Sequence, residues 1–280
     1  MTQPVRRGTQ SIERAVLILR EIATHGRFGW GLWDIAERCG LDRGTTHRIL
    51  ACLVREGLLQ QRSQDRRYLP GPLLFELGLS TPAYADLQAA GQAPVDRIAR
   101  HFGGLALLNF RSGADFVCVA RAGESVYRGT AMEVGTRRPL VTSAGGVAIL
   151  IALQADEARA IEAQNLRRLA RLGEANLRAL EKMIRRSQKL GFAFNRSETA
   201  RGVHAFGVAL RDARGEVFGS VALAGAAQAF PASRAAQVVA FLRAQAALIE
   251  DAARQLLPGG VYKADGARQG EIATFSTPSR

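Results

Sequence analysis

Between two short amphipathic segments, residues 32–39 and 43–56, the chain spends only Gly40, Leu41 and Asp42. No other stretch constrains the fold as tightly. Leu32, Ile35, Ala36 and Cys39 recur at helical spacing on one face. Gly40 is placed to stop that helix, and Asp42 stands where the next one needs an N-cap. Upstream, Ile12, Ala15, Val16, Leu19, Ile22 and Ala23 predict a helix over residues 11–25, with Gly26 as its stop. Downstream, residues 58–62, a polar turn at 63–65 and residues 66–69 predict a short hairpin with a basic tip.

Three helices, a tight glycine turn between the last two, and a hairpin make the layout of a winged helix-turn-helix, a fold that reads duplex DNA. On a helical wheel, Thr46, Ile49, Leu50, Leu53 and Val54 of the third helix face the first two. Gly44, His47, Arg48, Ala51 and Arg55 face away. Gly44 and Ala51 permit close approach to a groove wall, while His47 and Arg48 can donate to base edges. The expected DNA-binding set is Arg43, Gly44, Thr45, Thr46, His47, Arg48 and Arg55 on the helix. Arg62, Arg66 and Arg67 add phosphate contacts on the hairpin. A solvated basic face is the competing reading of the helix alone, and the adjoining basic hairpin tips the balance toward DNA. Charge agrees: the net charge is +13, and the first 70 residues hold twelve Arg against seven acids.

Past Pro70-Gly71-Pro72, residues 73–79 and 83–101 predict connector helices. Beyond Gly103 the pattern changes to strands at 105–110 and 116–120. Helices follow at 143–153, 156–164 and 174–190, then a hairpin pairs 203–210 with 217–224. Pro231 opens a final helix whose stripe is Val238, Val239, Leu242, Ala246, Ile249, Ala253 and Leu256. The fold class is therefore α+β. A winged helix-turn-helix spans 9–71, connector helices 72–102, and a domain with an antiparallel sheet flanked by helices 103–257; residues 258–280 form a disordered tail.

Several classes are disfavoured. Three widely spaced cysteines, Cys39, Cys52 and Cys118, lack the spacing of zinc ligands or a redox pair. No signal-type apolar stretch follows Arg6 and Arg7, and the run 147–153 falls far short of a membrane span. A soluble cytoplasmic protein without metal or cofactor is expected. An enzyme is disfavoured because Cys118, His204 and scattered acids form no local catalytic motif, and Gly145-Gly146 lacks the Lys-Ser/Thr of a phosphate loop. A winged helix serving RNA or protein contacts is disfavoured by the basic face beside a basic hairpin.

The chain resembles the IclR family of bacterial transcriptional regulators. Gln10 to Ala15, Asp34-Ile35-Ala36, Gly40-Leu41, Thr45, His47 to Leu50, Leu53 to Leu58, Tyr68 to Gly71 and Leu77-Gly78 carry the likeness. It continues through Gly191-Phe192 and Gly202-Val203 to Gly219 and the final helix. Asp42 and Gly44 depart from the commoner residues there, and Trp30 and Trp33 are unusual. The resemblance implies a GAF/PAS-like effector domain holding a small ligand, often a carboxylate, between the sheet and a helix beginning at Ser143. Ser143, Ala144, Gly145, Asn195, Ala205, Ala222 and Ala224 stand at the ligand-contacting positions. Unpaired N–H groups at a helix N-terminus suit an anion, although Gly145 and Gly146 also fit a plain close-packing role. Of the last four positions only Asn195 is polar, so the expected effector is an aromatic or branched carboxylate rather than a two- or three-carbon acid. Neighbouring side chains filling that space, leaving no pocket, is the alternative. The expected partners are a double-stranded DNA operator, the effector and a second copy or more of the chain, as homodimer or homotetramer.

Overall fold

The computed structural model describes residues 9–24, 28–125 and 132–261. Helix α1 (Gln10–Ala23), α2 (Leu32–Cys39) and α3 (Arg43–Arg55) precede a hairpin of β1 (Leu59–Gln61) and β2 (Tyr68–Pro70). The expected stop at Gly26 lies outside the described residues. Gly40 takes φ +63°, a left-handed conformation that ends α2. Ile18, Ile22, Ile35, Leu50, Leu53, Leu59 and Tyr68 form one small core. Trp30 extends the hairpin: its N–H donates to the Tyr68 carbonyl at 3.1 Å, and its carbonyl accepts from Tyr68 at 2.9 Å.

Helices α4 (Pro72–Leu79) and α5 (Pro82–Phe102) lead into the second part. It comprises β3 (Leu105–Ser112), β4 (Asp115–Gly123), β5 (Arg137–Pro139), α6 (Ala144–Ala152), α7 (Ala155–Arg168), α8 (Glu174–Leu190), β6 (Ala193–Arg196), β7 (Val203–Arg211), β8 (Val217–Ala226) and α9 (Ala235–Leu256). The six strands form one antiparallel sheet in the order β5-β4-β3-β8-β7-β6. Sequence patterning misses β5 and β6. Both are very short, and β5 ends at a proline, so neither shows an alternation long enough to register.

Strand alternation divides the sheet into two cores. Ala106, Leu108, Phe206, Val208, Val221 and Leu223 turn toward α5 and α9, meeting the predicted stripe of the final helix. Leu105, Leu107, Ala205 and Ala224 turn the other way, toward α6 and α8. Gly146 has no room for a side chain: a Cβ there would stand 2.2 Å from the Leu140 carbonyl oxygen. Gly146 is thus pressed against the turn before α6, whereas Gly145 meets the sheet, where a Cβ would stand 2.5 Å from Asn109 Nδ2. Residues 258–261 belong to the fold and not to a disordered tail, because the Val261 N–H donates to Asp212 Oδ2 at 3.0 Å. The rest of the expected tail, from 262, lies outside the described residues. No helix among the described residues is long and apolar enough to cross a membrane.

Candidate functional site

Two surfaces merit attention, and the first is α3. Asp42 caps it by accepting the Thr45 N–H at 2.8 Å, and that bond pulls its carboxyl below the ordinary value. Thr46, Leu50 and Leu53 are buried against α1 and α2. Thr46 is therefore a correction to the expected set. It is fully buried, and its hydroxyl donates to the Asp42 carbonyl at 2.9 Å, so it holds the helix start and presents nothing outward. Gly44, His47, Arg48, Ala51 and Arg55 lie exposed on the opposite side, and Arg43 is exposed at the helix start. The Arg48 guanidinium donates to Thr45 Oγ1 at 3.2 Å, a contact that leaves most of its fork toward solvent. Arg55 pairs with Glu56 at 3.0 Å, and Arg43 lies over the exposed Trp33 ring.

The hairpin arginines divide by role. Arg62 donates twice to Asp65, at 2.9 and 2.7 Å, and once to the Phe28 carbonyl at 3.0 Å. Arg67 reaches the Gly29 carbonyl at 3.2 Å and lies 3.5 Å from Asp65. The Arg62 bonds hold the Asp65 carboxyl down at about 2. Both guanidiniums thus brace the hairpin against the segment before α2, whereas Arg66 sits exposed at the tip with φ +59°.

The second surface is internal. A cavity of about 410 Å³ lies between the sheet and the start of α6. Ser143, Ala144, Gly145, Asn195, Ala205, Ala222 and Ala224 all line it, together with Leu105, Leu107 and Leu180. The space beside the alanines is open, which answers the alternative of a filled pocket. The Ser143 hydroxyl caps α6 by accepting the Gly146 N–H at 3.0 Å. The N–H groups of Ala144 and Gly145 come before the first internal bonds of the helix and have no partner among the described residues. Asn195 is more committed than expected: Oδ1 accepts from Glu198 N at 2.9 Å, and Nδ2 donates to Thr199 Oγ1 at 2.7 Å. Its carboxamide mainly shapes the turn after β6.

Sequence reasoning overlooked other parts of this wall, notably Arg138, Thr142, Asn176 and Glu198. Arg138 could be found only by recognising β5, where alternation separates it from Arg137. Glu198 is held by Arg186 at 2.7 and 2.8 Å. Burial works against its charge, yet Arg186 and the Arg196 N–H keep its carboxyl below the ordinary glutamate range. The other candidates for chemistry are not brought together. Cys118 is buried on the α6 side, with its thiol pushed up to about 12 by burial. His204 alternates to the opposite face, with Nδ1 2.8 Å from the Phe230 carbonyl.

Residues 11–63 match the IclR helix-turn-helix domain, and residues 82–251 match the bacterial transcriptional regulator IclR C-terminal domain. The chain belongs to the IclR family of transcriptional regulators. The glycerol operon regulatory protein of Streptomyces griseus is 30% identical over 219 residues, which is 78% of this chain and 85% of that protein. An IclR family regulator from Brucella abortus superposes with a TM-score of 0.69 at 20% identity, covering 90% and 95% of the two chains. An IclR homologue from Microbacterium hydrocarbonoxydans, solved in complex with 4-hydroxybenzoate, gives 0.62 at 20% identity over 88% and 100%. Relatives of this IclR-family chain are named as regulators and repressors, so its role is regulatory and not enzymatic.

Proposed function

We propose that this regulator binds a duplex operator through the exposed face of α3, with Arg66 contacting phosphate, and that a small organic acid in the cavity alters that affinity. One observation carries the reading: seven residues scattered from 143 to 224 surround a single open cavity of about 410 Å³. That volume is in the range of small-molecule sites, and a mainly apolar wall is interrupted by polar side chains that include Arg138, Thr142, Asn176 and Glu198. The open N–H groups of Ala144 and Gly145 suit a carboxylate, and the alanines leave space for a ring or branched chain. The complex of the Microbacterium homologue with 4-hydroxybenzoate is in keeping with an aromatic acid.

On the DNA side, Arg48 would pair with guanine, and His47 and Arg43 would flank it. A single unit of this size covers too few base pairs for operator specificity, so the protein would act as a two-fold dimer or a tetramer. Phe75, Leu77 and Leu79 of α4 are 70%, 52% and 66% exposed, more apolar surface than a solvated connector needs, and would meet their counterparts in a second copy. The setting is the cytoplasm. Anisotropy titration of duplex DNA from upstream of the protein's own gene, with RNA and unrelated duplex as competitors, tests the reading. Specific retention of the duplex is expected; equal competition by RNA would overturn it.

A further inference from the structure

The cavity wall carries two charged side chains among the described residues, Arg138 and Glu198, and their situations are opposite. Glu198 is neutralised by its two-pronged pair with Arg186. The Arg138 guanidinium has neither a hydrogen bond nor an ion pair among the described residues. Its neighbour shows what an arginine does here when its role is structural. Arg137 donates to Asp115 Oδ2 at 3.0 Å and to the Ser112 carbonyl at 3.1 Å, and Arg168 completes the cluster at 2.8 Å from Asp115 Oδ1. Alternation along β5, which pairs Arg138 with Phe116 of β4, sends the second guanidinium into the cavity instead.

A half-buried guanidinium with no counter-charge gives up part of its hydration and gains no protein bond in return. That same burial lowers its pKa from the ordinary arginine value. Such a group is retained at a cost unless something supplies the missing anion. Ala144 and Gly145, whose N–H groups have no partner among the described residues, line the same cavity at the positive end of α6, a second region of positive potential. Leu105, Leu107 and the alanines give the same cavity its apolar lining.

We infer that Arg138 is the residue that selects charge in this pocket, holding the carboxylate of an anionic effector through its guanidinium fork and excluding neutral molecules of the same shape. The inference rests on the reading of the cavity as the effector site and deepens it. A carboxylate matches the fork in two parallel bonds, which a neutral amide cannot do. The effector's apolar body then lies along the alanines.

The test uses the full-length protein and matched probes: benzoate with benzamide, 4-hydroxybenzoate with 4-hydroxybenzamide, phenylacetate with phenylacetamide. Thermal shift at millimolar probe, followed by calorimetric titration, is run on the wild type, Arg138→Gln and Arg138→Lys. The acids should stabilise the wild type and the amides should not. Arg138→Gln should weaken acid binding about tenfold to a hundredfold, with Arg138→Lys between the two. The ligand-free thermal midpoint of Arg138→Gln should not fall, since no native bond is removed. A structural role predicts a fall instead, as expected for Arg137→Gln, which strips Asp115 of a partner. Amides binding as well as acids, unchanged acid affinity in Arg138→Gln, or no acid of the set stabilising the wild type would each overturn the inference. The two readings fail separately. Amides that release operator DNA from the wild type as well as the acids do sink the anchor and leave the effector reading standing. Acids that bind through Arg138 without moving operator affinity do the reverse.

Discussion

Ala224→Leu adds three carbon atoms to a wall that borders open space. In a packed interior such an addition costs about 1–3 kcal/mol through strained rotamers and backbone shifts. Ala224 is only partly buried and faces the cavity, so the new atoms should settle there and leave water. At about 0.8 kcal/mol per buried carbon, less about 0.5–1 kcal/mol of side-chain entropy, the change should stabilise by roughly 1–2 kcal/mol. For a unit of this size that corresponds to a rise of about 2–8 °C in the thermal midpoint. The same leucine should abolish the stabilisation given by any acid that protects the wild type. Differential scanning calorimetry of both proteins, with and without 4-hydroxybenzoate, reads both effects. A midpoint several degrees lower would refute the reasoning, because it would mean that the leucine meets packed atoms and no usable cavity borders Ala224.

Arg48→Ala should leave circular dichroism and sedimentation unchanged while losing about 1–3 kcal/mol per half-site in specific binding; Arg66→Ala should weaken all duplexes alike and flatten the salt dependence. Unchanged sequence preference in the first, or a loss confined to one base position in the second, would contradict these roles. Phe75→Glu with Leu79→Glu should convert the assembly to monomers at micromolar concentration in sedimentation velocity, and an unaltered oligomer would place the contact elsewhere. Glu198, held below its ordinary range by Arg186, contributes stability that is fully present above the unfolded glutamate pKa of about 4.3. That contribution is lost as pH falls through the folded value, so Glu198→Gln should flatten the decline of thermal midpoint below about pH 5. A decline as steep as the wild type's would remove Glu198 from that balance.

The N-terminal unit was legible because its signals are local. The Gly40 stop, the Asp42 cap and the spacing of Leu50 and Leu53 act within one or two turns, and the structure realises each of them. Thr46 joins the DNA-binding set only by its place in the first turn, although the helical wheel already turns it inward, and the structure follows the wheel: its hydroxyl bonds back to Asp42. The bracing of the hairpin by Arg62 and Arg67 was hidden because their partners at Phe28 and Gly29 lie more than thirty residues away. In the second part the helices and the long strands showed their periods. The cavity residues were found through family resemblance, since Ala205, Ala222 and Ala224 carry no chemistry that marks them. Arg138 escaped both routes. A three-residue edge strand gives no period, and only its placement beside an open space distinguishes it from Arg137.

On the proposed reading, the cavity and the exposed face of α3 are coupled. The most direct test of that coupling is operator affinity by fluorescence anisotropy, measured with and without the acid giving the largest thermal shift, alongside calorimetric affinity of that acid with and without operator. Coupling of about 1–3 kcal/mol would change operator affinity roughly 5- to 150-fold, and linkage requires the operator to change the acid's affinity by the same factor. Ala224→Leu should bind the operator and lose this response. An acid that fills the cavity in the wild type while leaving operator affinity unchanged would contradict the account.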